Sequence, residues 1–88
     1  DFMEGLYHKL TAVFHEPELT SILVTARSYY DCSRSVSQAA KDLFIHKNTL
    51  QYRIRRLLEV LDLKKCTAFQ QEYLIRLLLE YHKRKQST

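Results

Sequence analysis

The sequence predicts a small all-α domain of four to five helices, and three observations support this fold class. The chain has 88 residues, enough for one domain with a single modest core. It contains one Gly and one Pro, so few residues interrupt a helix. Apolar side chains recur every three or four residues, as on one face of a helix, and no segment has convincing strand character.

The first two helices are predicted on either side of Pro17. The first covers residues 2–14, with Phe2, Leu6, Leu10, Val13 and Phe14 on one face. Pro17 ends it, because proline disfavours helical geometry in the preceding residue and suits the first turn of a following helix. The second helix covers residues 17–31. Its apolar face consists of Leu19, Ile22, Leu23, Ala26, Tyr29 and Tyr30.

Two further helices are predicted around a short turn. Ser35 is a candidate N-cap, since its hydroxyl can accept a hydrogen bond from an amide in the first turn. A two-turn helix then covers residues 36–43, and a longer one covers 47–61 after the turn at 44–46. Their inward-facing residues are Val36, Ala39, Ala40, Leu43, Leu50, Ile54, Leu57 and Leu61.

The last helix is predicted over residues 68–82. Its buried face is expected to hold Phe69, Tyr73, Leu74, Leu77, Leu78 and Tyr81. Most of the six Tyr and four Phe residues thus fall at core spacing, which favours packing over a platform for stacking RNA bases.

Positive charge is concentrated in residues 35–57. This segment holds five basic residues and one acidic residue, a net of +4 that equals the net charge of the whole chain. The remaining residues carry nine basic and nine acidic side chains. Such a local excess is typical either of a solvated helix face or of a site for an anionic partner.

A two-turn helix, a short turn and a longer basic helix form the pattern of a helix-turn-helix over about 36–61, whose second helix enters the major groove of DNA. At about 100° per residue, Ile54, Leu57 and Leu61 lie within about 40° of Leu50. The opposite side carries amide and guanidinium groups, which recognise adenine and guanine edges respectively. The base-reading candidates are Lys47, Asn48, Gln51, Tyr52 and Arg55.

Other side chains are placed for phosphates, which fix the register of a protein on DNA without reading its sequence. The amides and dipole at the start of the 36–43 helix offer one such contact. The phosphate candidates are Ser37, Gln38, His46, Thr49, Arg53 and Arg56. His46 is also a candidate cap for the longer helix, and Tyr52 can contact a thymine methyl or a phosphate, or pack against the last helix.

The stretch "AAKDLFIHKNTLQYRIRRL", residues 39–57, resembles the C-terminal helix-turn-helix domain of the PucR family of bacterial transcription regulators, which includes CdaR-like sugar-diacid and purine-catabolism regulators. The likeness extends from about Leu19 to Leu79 and is most specific in "HKNTLQYRIRRL". The wider Fis-like class is similar but often has Gly in the turn where Phe44 stands. A bulky residue is expected to avoid a positive φ there. Leu58 is a departure, since that position is often acidic in the family.

The resemblance implies a domain that binds double-stranded operator DNA as part of a homodimer or larger oligomer, without catalysis and without a cofactor. A small-molecule effector would act on an upstream domain missing from this chain. Residues 1–16 lie at the edge of the likeness, so we expect them to form a connecting helix ahead of a DNA-binding domain at 17–88.

The alternative function is a helical protein-interaction or dimerisation module without DNA binding. Its docking positions would be spare apolar residues on the two long helices: Leu58, Val60, Ile75 and Leu79. Cys32 and Cys66 lack a CxxC arrangement, which favours reduced thiols and a cytoplasmic protein. We predict no metal site, because no two His residues share a helix face at ligand spacing, and no membrane span.

Overall fold

The computed structural model describes residues 1–87 and has five helices in that range, which confirms the all-α prediction. They are α1 (Phe2–Val13), α2 (Glu18–Asp31), α3 (Val36–Leu43), α4 (Lys47–Val60) and α5 (Ala68–Gln86). Most bounds agree with the sequence-based ones to within a residue. α5 continues four residues beyond the predicted end at His82, and the basic residues of its last turn stabilise the carbonyl end of the helix dipole.

Side-chain caps fix where most of these helices begin. The Ser35 hydroxyl accepts a hydrogen bond from the Gln38 amide at 3.2 Å, which confirms the predicted cap of α3. Thr67 and Gln70 form a reciprocal capping box at the start of α5. Each cap supplies an acceptor for an amide that has no partner within its own helix.

The core lies around α2, which packs against α3, α4 and α5, while α1 packs against α4 and α5. Leu10, Leu50, Leu57 and Ile75 are completely buried in it. The close approach of α3 is possible because Ala39 and Ala40 have small side chains, and both are buried as predicted. α4 packs against α1, α2 and α3, and these contacts determine the face that α4 leaves to solvent.

The predicted buried face of α5 is confirmed only in part, because Leu78 is buried, Leu74 and Tyr81 are half-buried, and the other predicted residues are exposed. The residues that enter the core are Ile75, Leu78 and Leu79. Phe69 and Tyr73 are instead 76% and 58% exposed, and Leu77 is also exposed. Because α5 is apolar around much of its circumference, contacts with α1 and α2 decide which side is buried. Ile75 and Leu79 are therefore not available for docking a partner, contrary to the alternative hypothesis.

Two smaller expectations about apolar residues are also wrong. Phe2 and Val13 lie on α1 but are exposed, so the core face of that helix is formed by Leu6 and Leu10, followed by Phe14 just beyond its end. The turn residue Phe44 has φ = 56° and ψ = 42°, although a bulky residue was expected to avoid a positive φ. Its amide caps α3 by donating to the carbonyls of Ala40 and Lys41.

The boundary between a connecting helix at 1–16 and a DNA-binding domain at 17–88 stays a prediction. Residue 88, the end of the second segment, lies outside the described residues. Within residues 1–87, no helix combines the length and apolar character needed to cross a bilayer.

Candidate nucleic-acid interface

One face of α4 holds the helix in the core and the opposite face is open to solvent. Leu50, Ile54 and Leu57 are buried. The five predicted base-reading residues are all exposed, and they are Lys47, Asn48, Gln51, Tyr52 and Arg55. The separation of faces that the helical spacing predicts is therefore present.

The start of α4 is ordered by His46, whose ring Nδ1 accepts a hydrogen bond from the Asn48 amide at 3.0 Å. This contact confirms the capping role considered for His46. Because Nδ1 is an acceptor, the proton of the neutral ring lies on Nε2. The exposed Nε2–H remains able to donate to a phosphate, so capping and phosphate contact are compatible in one side chain.

A groove of about 530 Å³ separates α3 from the start of α4. It brings together five polar side chains from the two helices and the turn: Ser37, Lys41, His46, Lys47 and Asn48. Lys41 was not among the predicted contacts, although its position one turn after Ser37 in a basic segment was a usable signal. The groove thus joins predicted base-reading and phosphate-binding residues to an additional cation.

Gln38 is less available than the sequence suggested. Its side-chain amide donates to Asp42 Oδ1 at 2.8 Å, while its backbone amide donates to Ser35. The Asp42 carboxylate also accepts a longer contact from Cys32 Sγ, at 3.4 Å. One amide hydrogen of Gln38 is thus used within the protein.

Arg53 and Arg56 differ from the base-reading candidates because both are half-buried and contact other helices. Arg53 Nη1 donates to the Thr25 hydroxyl on α2 at 3.1 Å. The Arg56 guanidinium lies 5.6 Å from the centre of the Phe14 ring, within the range of a cation–π interaction. These contacts hold the two cations on the flank of α4 where the sequence placed them.

A second groove of about 430 Å³ runs along this flank, between α4 and the start of α2. Thr49, Tyr52, Arg53 and Arg56 line it from α4, opposite the acidic Glu18 of α2. Tyr52 therefore borders α2, and its ring lies 5.9 Å from the Arg55 guanidinium. The groove has two cations and one anion, so its charge favours an anionic ligand.

Several titratable groups outside α4 have a clearly shifted pKa. Burial raises the pKa of Tyr30 to about 12. Burial and the hydrogen bond to Asp42 raise the pKa of the Cys32 thiol, so that thiol is mainly protonated near neutral pH. Cys32 and Cys66 are both free. Within residues 1–87, no group of three or more His, Cys, Asp or Glu residues is arranged to hold a metal ion.

Comparison with known proteins agrees with this geometry. A family model described as the PucR C-terminal helix-turn-helix domain matches residues 22–67, which run from α2 to the loop that follows α4. No curated protein and no solved structure matches the chain. The family match covers more than half of the 88 residues and includes the whole of α3, the turn and α4. The chain therefore belongs to the family of PucR C-terminal helix-turn-helix domains.

Proposed function

We propose that this chain is the sequence-specific DNA-binding output domain of a bacterial transcription regulator. The observation that carries the proposal is the exposed face of α4, which presents Asn48, Gln51 and Arg55 while buried leucines hold the opposite face. Side chains of these types pair with base edges in the major groove, and a second helix of a helix-turn-helix is the element that enters it.

The proposed DNA contacts fall into two sets of residues on α3, the turn and α4. Lys47, Asn48, Gln51, Tyr52 and Arg55 are proposed to read bases. Ser37, Gln38, His46, Thr49, Arg53 and Arg56 are proposed to contact phosphates. The half-buried positions of Arg53 and Arg56 support this assignment. Their guanidinium groups contact α2 and Phe14 and so have less freedom to enter the DNA major groove.

The regulator is proposed to act in the cytoplasm as a homodimer, because two recognition helices are needed to bind two half-sites one helical turn apart. Its effector is proposed to be a metabolite of the sugar-diacid or purine-catabolism type that acts on another domain. No catalytic role and no cofactor are proposed for this chain. These features rest on the family resemblance.

A salt series with generic duplex DNA tests the proposal. The logarithm of the binding constant is expected to fall linearly with the logarithm of the salt concentration, because bound phosphates release counterions. Arg56→Ala should weaken binding to all sequences and reduce the slope by about 1. Arg27→Ala is the matched control, since it removes the same charge from an exposed position on α2. A protein that fails to bind duplex DNA at low salt would contradict the proposal.

The base-reading assignment needs a separate measurement by selection from random duplexes. Gln51→Ala and Arg55→Ala are each expected to relax preference at particular base pairs, by about 1–3 kcal/mol. Arg56→Ala should leave the selected sequence unchanged. If all three variants weaken binding uniformly across sequences, the division between base-reading and phosphate-binding residues is wrong.

A protein-interaction function remains a second candidate because of one observation, the exposed stripe of Phe69, Tyr73 and Leu77 on α5. These residues are spaced by one helical turn and so form a continuous apolar surface. Its proposed occupant is a second copy of the chain, since antiparallel pairing about Tyr73 sets Phe69 of one copy against Leu77 of the other. Self-association that Tyr73→Glu abolishes, together with no binding to duplex DNA, would favour this candidate over the first.

A further inference from the structure

Phe44 combines two unfavourable features in the turn between α3 and α4. Its backbone lies in the left-handed region, with φ = 56°, where a side chain crowds its own backbone. Its side chain is 95% exposed, the highest value among the exposed large apolar residues. Among residues 1–87, the others with positive φ are Ser33, Arg34 and Asp62, all of which are polar. Phe44 alone among them places an apolar ring in water.

Neither the strained backbone nor the exposed ring of Phe44 is explained by a stabilising contact within the domain. The apolar contact of this turn is made by the next residue, Ile45, which is half-buried and packs against the core. The hydrogen bonds that end α3 use the Phe44 amide, which any residue except proline supplies. Glycine at this position would keep those bonds and avoid the strain. The Phe44 side chain is therefore unexplained by folding alone, and strained residues of this kind cluster at functional sites.

The surroundings of Phe44 indicate the nature of a partner. Lys41 precedes it by three residues, and His46 and Lys47 follow it by two and three. All three side chains are exposed, and they line the groove between α3 and α4. In residues 41–47 the only carboxylate is Asp42, which already accepts the Gln38 amide. An apolar ring beside two lysine cations and the His46 N–H donor suits a ligand that offers both negative charge and apolar surface.

We propose that Phe44 is an apolar DNA contact. Its ring packs against deoxyribose carbons or a thymine methyl at the edge of the DNA major groove that α4 enters. This inference rests on the proposed DNA-binding function. Both surfaces lie beside phosphates, so the neighbouring cations and the ring can bind the same nucleotide stretch. The contact would add affinity without adding charge.

Two kinds of variant separate this role from a structural one. Phe44→Gly and Phe44→Asn remove the ring and tolerate the left-handed backbone, so each should raise the melting temperature. Loss of the apolar contact should weaken duplex binding about tenfold. This is near the lower limit of the effect of burying a phenyl ring, because a contact at the groove edge buries only part of it. The salt slope should not change, because no charge is removed.

Phe2→Ala is the matched control, since it removes an exposed phenyl ring on α1, outside the helix-turn-helix, and should leave duplex binding unchanged. Replacing thymine by uracil in the duplex distinguishes the two surfaces. A thymine-methyl contact predicts that wild-type protein loses affinity on this replacement while Phe44→Gly does not. A sugar contact predicts no change for either protein.

The outcomes are separable from those of the proposed function. If Arg56→Ala weakens duplex binding and Phe44→Gly does not, the Phe44 contact is wrong and the DNA-binding proposal stands. A wild-type chain with no duplex affinity at low salt overturns both. A lower melting temperature for both Phe44→Gly and Phe44→Asn means that the ring stabilises the fold, which also overturns the inference.

Discussion

Arg53 is expected to contribute both to DNA binding and to the stability of the domain. Its guanidinium donates to the hydroxyl of Thr25, a residue that is 1% exposed and that donates in turn to the Ser21 carbonyl at 2.7 Å. The contact joins α4 to α2, next to the face proposed for DNA. Arg53→Ala removes this hydrogen bond together with one phosphate-binding cation.

The size of the stability effect follows from the environment of the bond. A hydrogen bond to a charged group contributes about 1.5–3 kcal/mol, and partial exposure of Arg53 places this one near or below the lower limit. We expect Arg53→Ala to lower the free energy of unfolding by about 1 kcal/mol, which shifts the melting temperature of a domain this small by about 4–8 °C. Arg55→Ala is the matched control and should change stability by less than about 0.5 kcal/mol, since Arg55 is exposed.

The assay is a double-mutant cycle in urea denaturation with Arg53→Ala and Thr25→Val, which keeps the shape of the threonine side chain. A coupling free energy of about 1 kcal/mol is expected, because each single variant breaks the same bond. Arg53→Lys should retain the salt slope of DNA binding, since it keeps the charge. Zero coupling between the two sites, or equal stability losses for Arg53→Ala and Arg55→Ala, would refute the structural role.

Three further predictions concern the fold. Thr67→Ala removes the acceptor of the α5 capping box and should lower the free energy of unfolding by about 1 kcal/mol, as measured in urea. Leu50→Ala leaves a cavity at a completely buried position and should lower the free energy of unfolding by about 2–5 kcal/mol. Leu77→Ala, at an exposed position on α5, should lower it far less. Burial holds the pKa of Tyr30 at about 12, above the ordinary value of 10.0, so the folded state retains this proton more tightly than the unfolded state. The stabilisation is complete below pH 10 and is lost as the pH rises toward 12; Tyr30→Phe should flatten this alkaline decline, and an unchanged decline would contradict the assignment.

The positions of the helices are largely predictable from the sequence because their signals are local. Ser35 supplies a hydroxyl at the start of α3, and Pro17 separates α1 from α2. The face of α4 is predictable for a similar reason: Leu50, Ile54 and Leu57 are its buried apolar residues, and polar side chains occupy the opposite side. The helical spacing of apolar residues then permits only one buried face for α4.

The buried face of α5 could not be predicted in the same way. Its sequence places apolar residues on more than one side, so burying Ile75, Leu78 and Leu79 or burying Phe69, Tyr73 and Leu77 would each satisfy a helical spacing. The choice depends on the shapes of α1 and α2, which helical spacing does not encode. Phe44 was misjudged for a related reason, since the geometry that ends α3 and begins α4 requires a left-handed residue whatever its side chain.

The sequence by itself determined the all-α class, the approximate helix positions, the solvent-facing side of α4 and the local excess of positive charge. Spacing, caps and composition suffice for these because they act over a few residues. Only the tertiary structure decided which residues share a surface. It placed Lys41 beside His46 and Asn48 in one groove, and it attached Arg53 to Thr25 on another helix. These contacts depend on how helices pack, and packing is set by the complementary shapes of side chains that are distant in the chain.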